Sequence, residues 1–120
     1  CKAYFSLQLN GVATQIQVLS ANSYWLRLKG WMFKKAILDS DALWIQPCNS
    51  IHTFFMRCAI DVIFINSQGQ VVRCCECVMP WSGRVSLSAL SVLELKAGMI
   101  AALNIKVGDS LAIMKNGYEK

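Results

Sequence analysis

The sequence predicts a mainly β domain, arranged as a barrel or a sandwich, with two short helices. Three observations predict this fold class. Short apolar segments rich in Val, Ile and Phe recur along the chain and are separated by turn residues. Only two short segments have helix signals. The chain has no linker, repeat or low-complexity segment, so we expect a single domain over residues 1–120.

The strongest local signal is a hairpin over residues 5–18. Apolar residues alternate along 5–9 and place one face of that strand on the core. Asn10 and Gly11 supply the two positive φ angles of a type I′ turn. Ile16 and Val18 then continue the return strand.

The two helices are predicted at 20–30 and 97–105. Ser20 or Asn22 can cap the first, and Gly30 suits the position after its last turn. The second lies in the segment AGMIAALNI. Residues 82–88 are predicted to form a loop. The other predicted strands are ALWIQP, IHTFFMR, IDVIFIN, QVVRCCECV, LSVLELK and SLAIMK.

The composition excludes several classes of protein. Hydrophobic residues make up 55% of the chain and charged residues 16%, which argues against disorder. No apolar run approaches the roughly 20 residues of a membrane span. No leader peptide is visible, so we expect a cytoplasmic protein, although the Cys1 start is unexplained.

The net charge of +5 is spread along the chain, and its densest group is RLKGWMFKK. Interleaved basic and aromatic residues can bind phosphate and stack on bases. A solvated helix end followed by an aromatic core anchor has the same pattern. We therefore expect no nucleic-acid binding, and retain a protein-interaction surface at Trp31–Lys35 as an alternative function.

The six cysteines indicate free, partly buried thiols rather than a disulfide framework or a metal site. Cys75 and Cys77 would lie on one face of a regular strand, about 6–7 Å apart. A structural zinc site needs four ligands in paired knuckles, and the Cys48 and His52 spacing does not supply the second pair. We expect neither a metal nor another cofactor.

His52 is the only histidine and so the only imidazole base. Ser50, Cys58 or Asp61 could be its partner, but no nucleophile motif such as G-x-S-x-G is present. A hydrolase-like enzyme with His52 as general base is therefore an alternative. A hydrogen-bonded histidine at the rim of the core is the simpler interpretation.

Four charged residues lie in apolar segments: Arg57, Asp61, Arg84 and Glu94. In one continuous strand, Arg57 and Asp61 would be about 13 Å apart, too far for a salt bridge. Buried charges require partners, so structural pairing of an arginine with a carboxylate is expected. A polar ligand pocket built from the same residues is the other possibility.

The chain resembles the family known as DUF192 or UPF0127, over about residues 20–112. The resemblance rests on the order and spacing of the motifs R-x-x-G-W-M, HTFFMR-x-x-IDVIFI, G-Q-V-V, P-W, VLEL-x-A-G and G-D-x-L. It implies a mainly β, barrel-like or sandwich fold with short helices. Relatives often have R-F-P-I-D where this chain has RCAID, and the cysteines are not part of the pattern.

The polar residues that match the family motifs are Arg27, His52, Arg57, Asp61, Arg84, Glu94 and Asp109. We expect a non-enzymatic binding module for a polar or anionic small molecule or a peptide. Its predicted site residues are His52, Met56, Trp81 and Arg84, supported by Arg57, Asp61 and Glu94.

Overall fold

A computed structural model of the protein describes residues 5–21, 41–53 and 58–115. These residues form nine strands and one short helix. The elements are β1 (Phe5–Leu9), β2 (Val12–Ala21), β3 (Asp41–Ile45), β4 (Ser50–His52), β5 (Ile60–Ile65), β6 (Val71–Val78), β7 (Gly83–Val85), β8 (Ser91–Lys96), α1 (Met99–Ala102) and β9 (Leu111–Lys115).

Seven strands form one sheet in the order β6-β5-β8-β3-β2-β1-β9, and β4 and β7 form a separate two-stranded ribbon. Neighbouring strands are antiparallel except β2 and β3, which run parallel. The prediction of a mainly β fold is confirmed.

The predicted barrel is wrong. Among the described strands, β6 and β9 are the two edges of the large sheet and no ladder joins them along their length. A single bridge between Gln70 and Ser110 links the sheet edges at one end. Alternating strand patterns are compatible with open and closed sheets alike, so the sequence could not decide closure.

The centre of the large sheet, at β5 and β8, is buried on both faces. Every residue of β5 is buried, including Asp61 among its apolar neighbours. Alternate residues of β3, β5 and β8 belong to two hydrophobic clusters, here called core one and core two. Core one contains Leu43, Ile45, Ile51, Ile60, Val62, Phe64, Cys75, Val78 and Val92. Core two contains Leu7, Ile16, Val18, Ala42, Ile63, Ile65, Val71, Leu93, Leu95, Ile100, Ile105 and Leu111.

The predicted hairpin of β1 and β2 is confirmed. Asn10 and Gly11 have φ angles of 51° and 82°, as a type I′ turn requires. Asn10 Nδ2 donates to Asp109 Oδ1 at 3.2 Å, and the backbone N–H of Ser110 donates to Asn10 Oδ1 at 2.8 Å. These bonds fasten the turn to the start of β9.

The second predicted helix is present as α1, and its buried residue, Ile100, packs in core two. The first predicted helix falls largely outside the described residues, and its first two positions belong to β2. The structure describes no helix that is long and apolar enough to span a membrane.

The prediction that residues 82–88 form only a loop is wrong, because Gly83–Val85 is strand β7. Three residues are too short for a period-two pattern to be recognised. The strand exists because β4 pairs with it, and that partner lies about 30 residues earlier in the sequence.

Candidate functional site

The ribbon of β4 and β7 lies over core one. Ile51 of β4 is buried in that cluster and anchors the ribbon to the large sheet. The two strands pair in the register Ser50 with Val85, Ile51 with Arg84, and His52 with Gly83. Three of the predicted site residues, His52, Trp81 and Arg84, lie on or next to this ribbon.

Thr53, directly after β4, clamps the loop that leads into β7. Its side chain is fully buried, and its hydroxyl donates to the carbonyl of Met79 at 2.6 Å. The same hydroxyl accepts the backbone N–H of Ser82 at 2.8 Å. The backbone N–H of Thr53 also donates to Ser82 O at 2.8 Å. One buried threonine therefore bonds both ends of the segment from Met79 to Ser82.

Trp81 lies inside this clamped loop. Its φ angle is 64°, which a bulky residue rarely adopts, and its backbone N–H donates to Thr53 O at 3.0 Å. Its side chain is nevertheless 61% exposed. The fold thus fixes the backbone of a large aromatic residue while leaving most of its surface in solvent.

His52 and Arg84 are neighbours in the ribbon but do not share a face. His52 is paired with Gly83, and Arg84 is paired with Ile51, so alternation places the two side chains on opposite faces. Both are half-buried. The fold therefore brings the two residues close in the ladder without making them one constellation.

Two arginines cover carbonyl groups of β7. Arg84 Nη1 donates to the carbonyl of Gly83 at 2.7 Å. Arg73 Nη1, reaching from β6, donates to the carbonyl of Val85. The second bond connects the ribbon to the edge strand of the large sheet and places two guanidinium groups beside one three-residue strand.

Glu94 lies in β8, on the face of the large sheet that the ribbon covers. Its backbone partners are Leu43 and Val62, which both belong to core one. The side chain is fully buried. A carboxylate in such a position requires polar or cationic partners, because burial alone strongly disfavours its charged form.

Asp61 lies on the opposite face of the sheet. It pairs with Leu95 of core two, and its carboxylate is fully buried. Oδ2 accepts the N–H groups of Gly98 and Ile100 at 3.0 and 2.9 Å, and Oδ1 accepts that of Cys77 at 2.9 Å. Asp61 thereby holds the start of α1 and a bulge of β6, and the sheet separates it from the ribbon.

The remaining predicted site residues, Met56 and Arg57, lie outside the described residues. The alternative interaction surface at Trp31–Lys35 lies outside them as well, as does Arg27. The pairing of Arg57 with a carboxylate therefore stays a prediction. Asp109, the last polar family position, accepts Lys106 N–H at 2.8 Å and organises the turn before β9.

A bulge in β6 separates Cys75 from Cys77. Ile60 pairs with Val78 and Val62 with Cys75, so β6 carries one extra residue there. Cys77 adopts a φ of 52° and is exposed, whereas Cys75 is buried. The expectation that both thiols share one strand face is therefore wrong, because the bulge shifts the alternation.

The described cysteines, which exclude Cys1, are free thiols. Within residues 5–21, 41–53 and 58–115, no group of three or more His, Cys, Asp or Glu side chains is arranged to hold a metal ion. Burial, together with the neighbouring Cys75 thiol, raises the pKa of Cys74 above its ordinary value. Cys74 is therefore a poor nucleophile at neutral pH.

An open cleft of about 170 Å³ lies at one end of the large sheet. Trp44, Gln46, Asn66, Ser91 and Leu111 are among its lining residues, and the described predicted site residues are not. The indole N–H of Trp44 is buried and makes no hydrogen bond to the described residues. The cleft is small for a ligand pocket.

Sequence reasoning missed two residues of the ribbon, Thr53 and Arg73. Nothing local marks Thr53, because its role depends on a loop 26 to 29 residues away. Arg73 had a signal: it is a long cationic side chain in a strand of mostly apolar residues. That signal is compatible with a polar partner, but it does not identify a backbone carbonyl.

Comparison with known proteins gives family relatives and structural neighbours. The family model DUF192, described as "Uncharacterized ACR, COG1430", matches residues 5–113. The UPF0127 protein PF1050 of Pyrococcus furiosus is 36% identical over 105 residues, covering 84% of this chain and 90% of the relative. A UPF0127 protein of Thermococcus sibiricus is 32% identical over 101 residues, covering 79% of this chain and 64% of the relative.

Two crystal structures share the fold. One, from Sinorhizobium meliloti 1021, is described as "a putative transcription regulator" and superposes with a TM-score of 0.81 at 22% identity, covering 93% of this chain and 95% of the other. The second, a protein of unknown function from Novosphingobium aromaticivorans, has a TM-score of 0.76 at 21% identity, covering 91% and 84%. The family model spans most of the chain, and we conclude that the protein belongs to the DUF192 (UPF0127) family.

Proposed function

We propose that this protein is a non-enzymatic binding module whose ligand surface is the β4–β7 ribbon. The ligand is a polar or anionic small molecule or a peptide. The observation that carries the proposal is Trp81, a mostly exposed indole on a strained backbone whose N–H donates to Thr53 O. Strained, exposed aromatic residues are maintained at functional sites more often than in surfaces without a role.

The surroundings of Trp81 support a ligand with an apolar part. Met79, Val85 and Leu87 are exposed along the same segment. Soluble proteins rarely keep several large apolar side chains exposed together unless that surface contacts something. Trp81 can stack on an apolar or planar group, and Thr53 keeps its loop in place before the ligand arrives.

The charges near the ribbon support an anionic part of the ligand. Arg84 and Arg73 both place guanidinium groups at β7. The net charge of +5 adds a long-range attraction for anions. His52 lies on the other face of the ribbon, and Glu94 lies beneath it in the sheet, so we assign them supporting roles. Met56 and Arg57 belong to the proposed site only by sequence.

A hydrolase-like activity has less support from the arrangement. The Asp61 carboxylate is committed to three backbone N–H groups on the far face of the sheet, so it does not orient His52. Cys58 is half-buried against core one. We therefore give His52 no catalytic role in the proposal.

A thermal-shift screen tests the proposal, using small carboxylates, phosphates and short peptides. A ligand present at 100 times its dissociation constant stabilises the folded state by about 2.7 kcal/mol, which raises Tm by several degrees. We expect at least one such compound, and we expect Arg84→Ala or Trp81→Ala to abolish its effect.

Val12→Ala is the matched control, because Val12 is an exposed apolar residue on the distant β1–β2 hairpin. It should leave the ligand-dependent shift unchanged. A screen without a stabiliser would overturn the proposal. So would a shift that persists in correctly folded Arg84→Ala and Trp81→Ala proteins.

A further inference from the structure

One long edge of the ribbon, that of β7, has no strand partner among the described strands. On the β4 side, the Ser82 carbonyl accepts the backbone N–H of Thr53, and the backbone N–H of Ser86 donates to the Asn49 carbonyl. In an antiparallel pair the bonded residues alternate, so Arg84 also faces β4. Gly83 and Val85 consequently direct their N–H and C=O groups away from β4, toward the free edge.

This edge offers donors but few acceptors. β4 is the only strand paired with β7 among the described strands. The carbonyls of Gly83 and Val85 accept guanidinium hydrogen bonds from Arg84 and Arg73. Within the described part of the chain, no hydrogen bond joins the N–H groups of Gly83 and Val85 to another residue.

The order of groups along the edge places one amide between two cations. Along the free edge of β7, the groups come in the order Gly83 C=O, Val85 N–H and Val85 C=O. Each of the two carbonyls accepts a hydrogen bond from a guanidinium group. The resulting cradle contains three donor groups and carries two positive charges. Val85 and the guanidinium of Arg73 belong to exposed residues, so a ligand can reach the cradle.

We propose that this cradle binds a carboxylate attached to an apolar group. A carboxylate has only acceptors, and its planar pair of oxygens matches the fork of an arginine. An added β-strand fits less well, because its N–H groups would compete with the two guanidiniums for the same carbonyls. Exposed Trp81 and Val85 supply apolar surface for the attached group.

The inference rests on the proposed function and specifies its ligand. It adds the Val85 backbone N–H, which neither the sequence nor the proposed function had placed in the site. If the arginines served only to block strand addition, the cradle would have no preference for a carboxylate over a neutral analogue. That difference makes the inference testable.

Amide NMR titration provides the test, with N-acetyl-L-phenylalanine and its neutral amide, N-acetyl-L-phenylalaninamide, as probes. We expect the acid to shift the Val85 amide resonance and the neutral probe to bind at least tenfold more weakly, since it lacks a charged acceptor. Binding of the acid should weaken as salt is added. Acetate should bind more weakly than the acid, because it lacks the apolar group.

Arg73→Gln and Arg84→Gln should each weaken binding of the acid by about tenfold. Lys106→Gln is the matched control, since it removes the same charge from an exposed residue of the α1–β9 turn. Unchanged Thr53 and Gly83 amide resonances in the free variants verify an intact ribbon. A tetrapeptide ending in phenylalanine distinguishes a peptide C-terminus from a small free acid as the natural ligand. Tighter binding of the tetrapeptide than of the acid indicates a peptide terminus, and equal binding indicates a small acid.

Equal binding of the acid and the neutral probe would overturn the carboxylate inference while leaving the binding module in place. An unmoved Val85 resonance would also overturn it. An equal loss in Lys106→Gln would show that net charge, not the cradle, attracts the acid. The binding module itself fails only if the thermal-shift screen finds no ligand that depends on Trp81 and Arg84.

Discussion

Replacement of Asp61 by asparagine tests how β5 is joined to the β6 bulge and to α1. The buried carboxylate accepts backbone N–H groups from Cys77, Gly98 and Ile100 at 2.9 to 3.0 Å. It therefore connects β5 to the β6 bulge and to the start of α1. Asparagine has nearly the same shape but only one acceptor oxygen.

The expected loss follows from the three bonds. Asparagine can keep the bonds from Gly98 and Ile100 by pointing its oxygen at α1. Its amide group then faces the N–H of Cys77, so two donors meet. Loss of one charge-assisted bond and an unsatisfied donor costs about 2–3 kcal/mol of the free energy of unfolding. For a domain of this size, that lowers Tm by about 10 °C.

Asp61→Ala removes all three bonds and should cost about 3–5 kcal/mol, because the N–H of Ile100 lies in the buried core. Urea unfolding followed by circular dichroism measures the stability of both variants. An unchanged m-value indicates that unfolding exposes the same amount of surface as in wild type. Glu76→Gln is the control, since Glu76 is an exposed carboxylate in the same bulge. It should change stability by at most about 0.5 kcal/mol.

Two results would refute this reasoning. A cost below about 1 kcal/mol for Asp61→Ala would mean that the backbone N–H groups find other partners and that the carboxylate is dispensable. The second result is a cost for Glu76→Gln as large as that for Asp61→Asn. The destabilisation would then reflect general charge effects on the bulge and not the three bonds.

Three further predictions concern other parts of the fold. Thr53→Val removes the hydroxyl bonds to Met79 and Ser82, so it should cost about 2 kcal/mol in urea unfolding and speed hydrogen exchange at Ser82. The backbone N–H of Lys106 holds the pKa of Asp109 below its ordinary value. The ionised Asp109 carboxylate therefore contributes its full stabilisation above about pH 4, and this contribution is lost as pH falls through the lowered pKa. The difference in Tm between wild type and Asp109→Asn should consequently become smaller at low pH. Maleimide should alkylate exposed Cys77 before Cys74, as mass spectrometry after short exposure would measure.

Each of these predictions has a contrary outcome. Unchanged exchange at Ser82 in Thr53→Val would mean that backbone bonds alone hold the loop. A Tm gap for Asp109→Asn that stays constant down to low pH would mean that the ionised carboxylate is not the stabilising form. Labelling of Cys74 ahead of Cys77 would mean that the β6 bulge does not orient the two thiols as described.

Most of the fold was predictable because its signals are local. The Asn10–Gly11 turn needs only two residues that tolerate positive φ, and the β5 segment IDVIFI is too apolar for any exposed position. α1 was predicted from a short segment between two glycines. In each case the deciding residues lie within a few positions of one another.

The candidate site was less predictable, because its parts come from distant segments. Asp61 lies in a strand that the sequence predicts, but the face it occupies could not be assigned without the sheet order. Trp81 and Arg84 were chosen from family motifs. Their actual arrangement depends on Thr53, whose hydroxyl reaches residues far along the chain.

The sequence by itself determined the mainly β class, the positions of most strands and the family, since these depend on hydrophobic period, turn chemistry and motif order. The tertiary structure alone decided that the sheet stays open, that β7 exists, and that Asp61 and the ribbon lie on opposite faces of the sheet. The physical reason is that strand pairing and hydrogen bonding between remote segments leave no periodic signal in the local sequence.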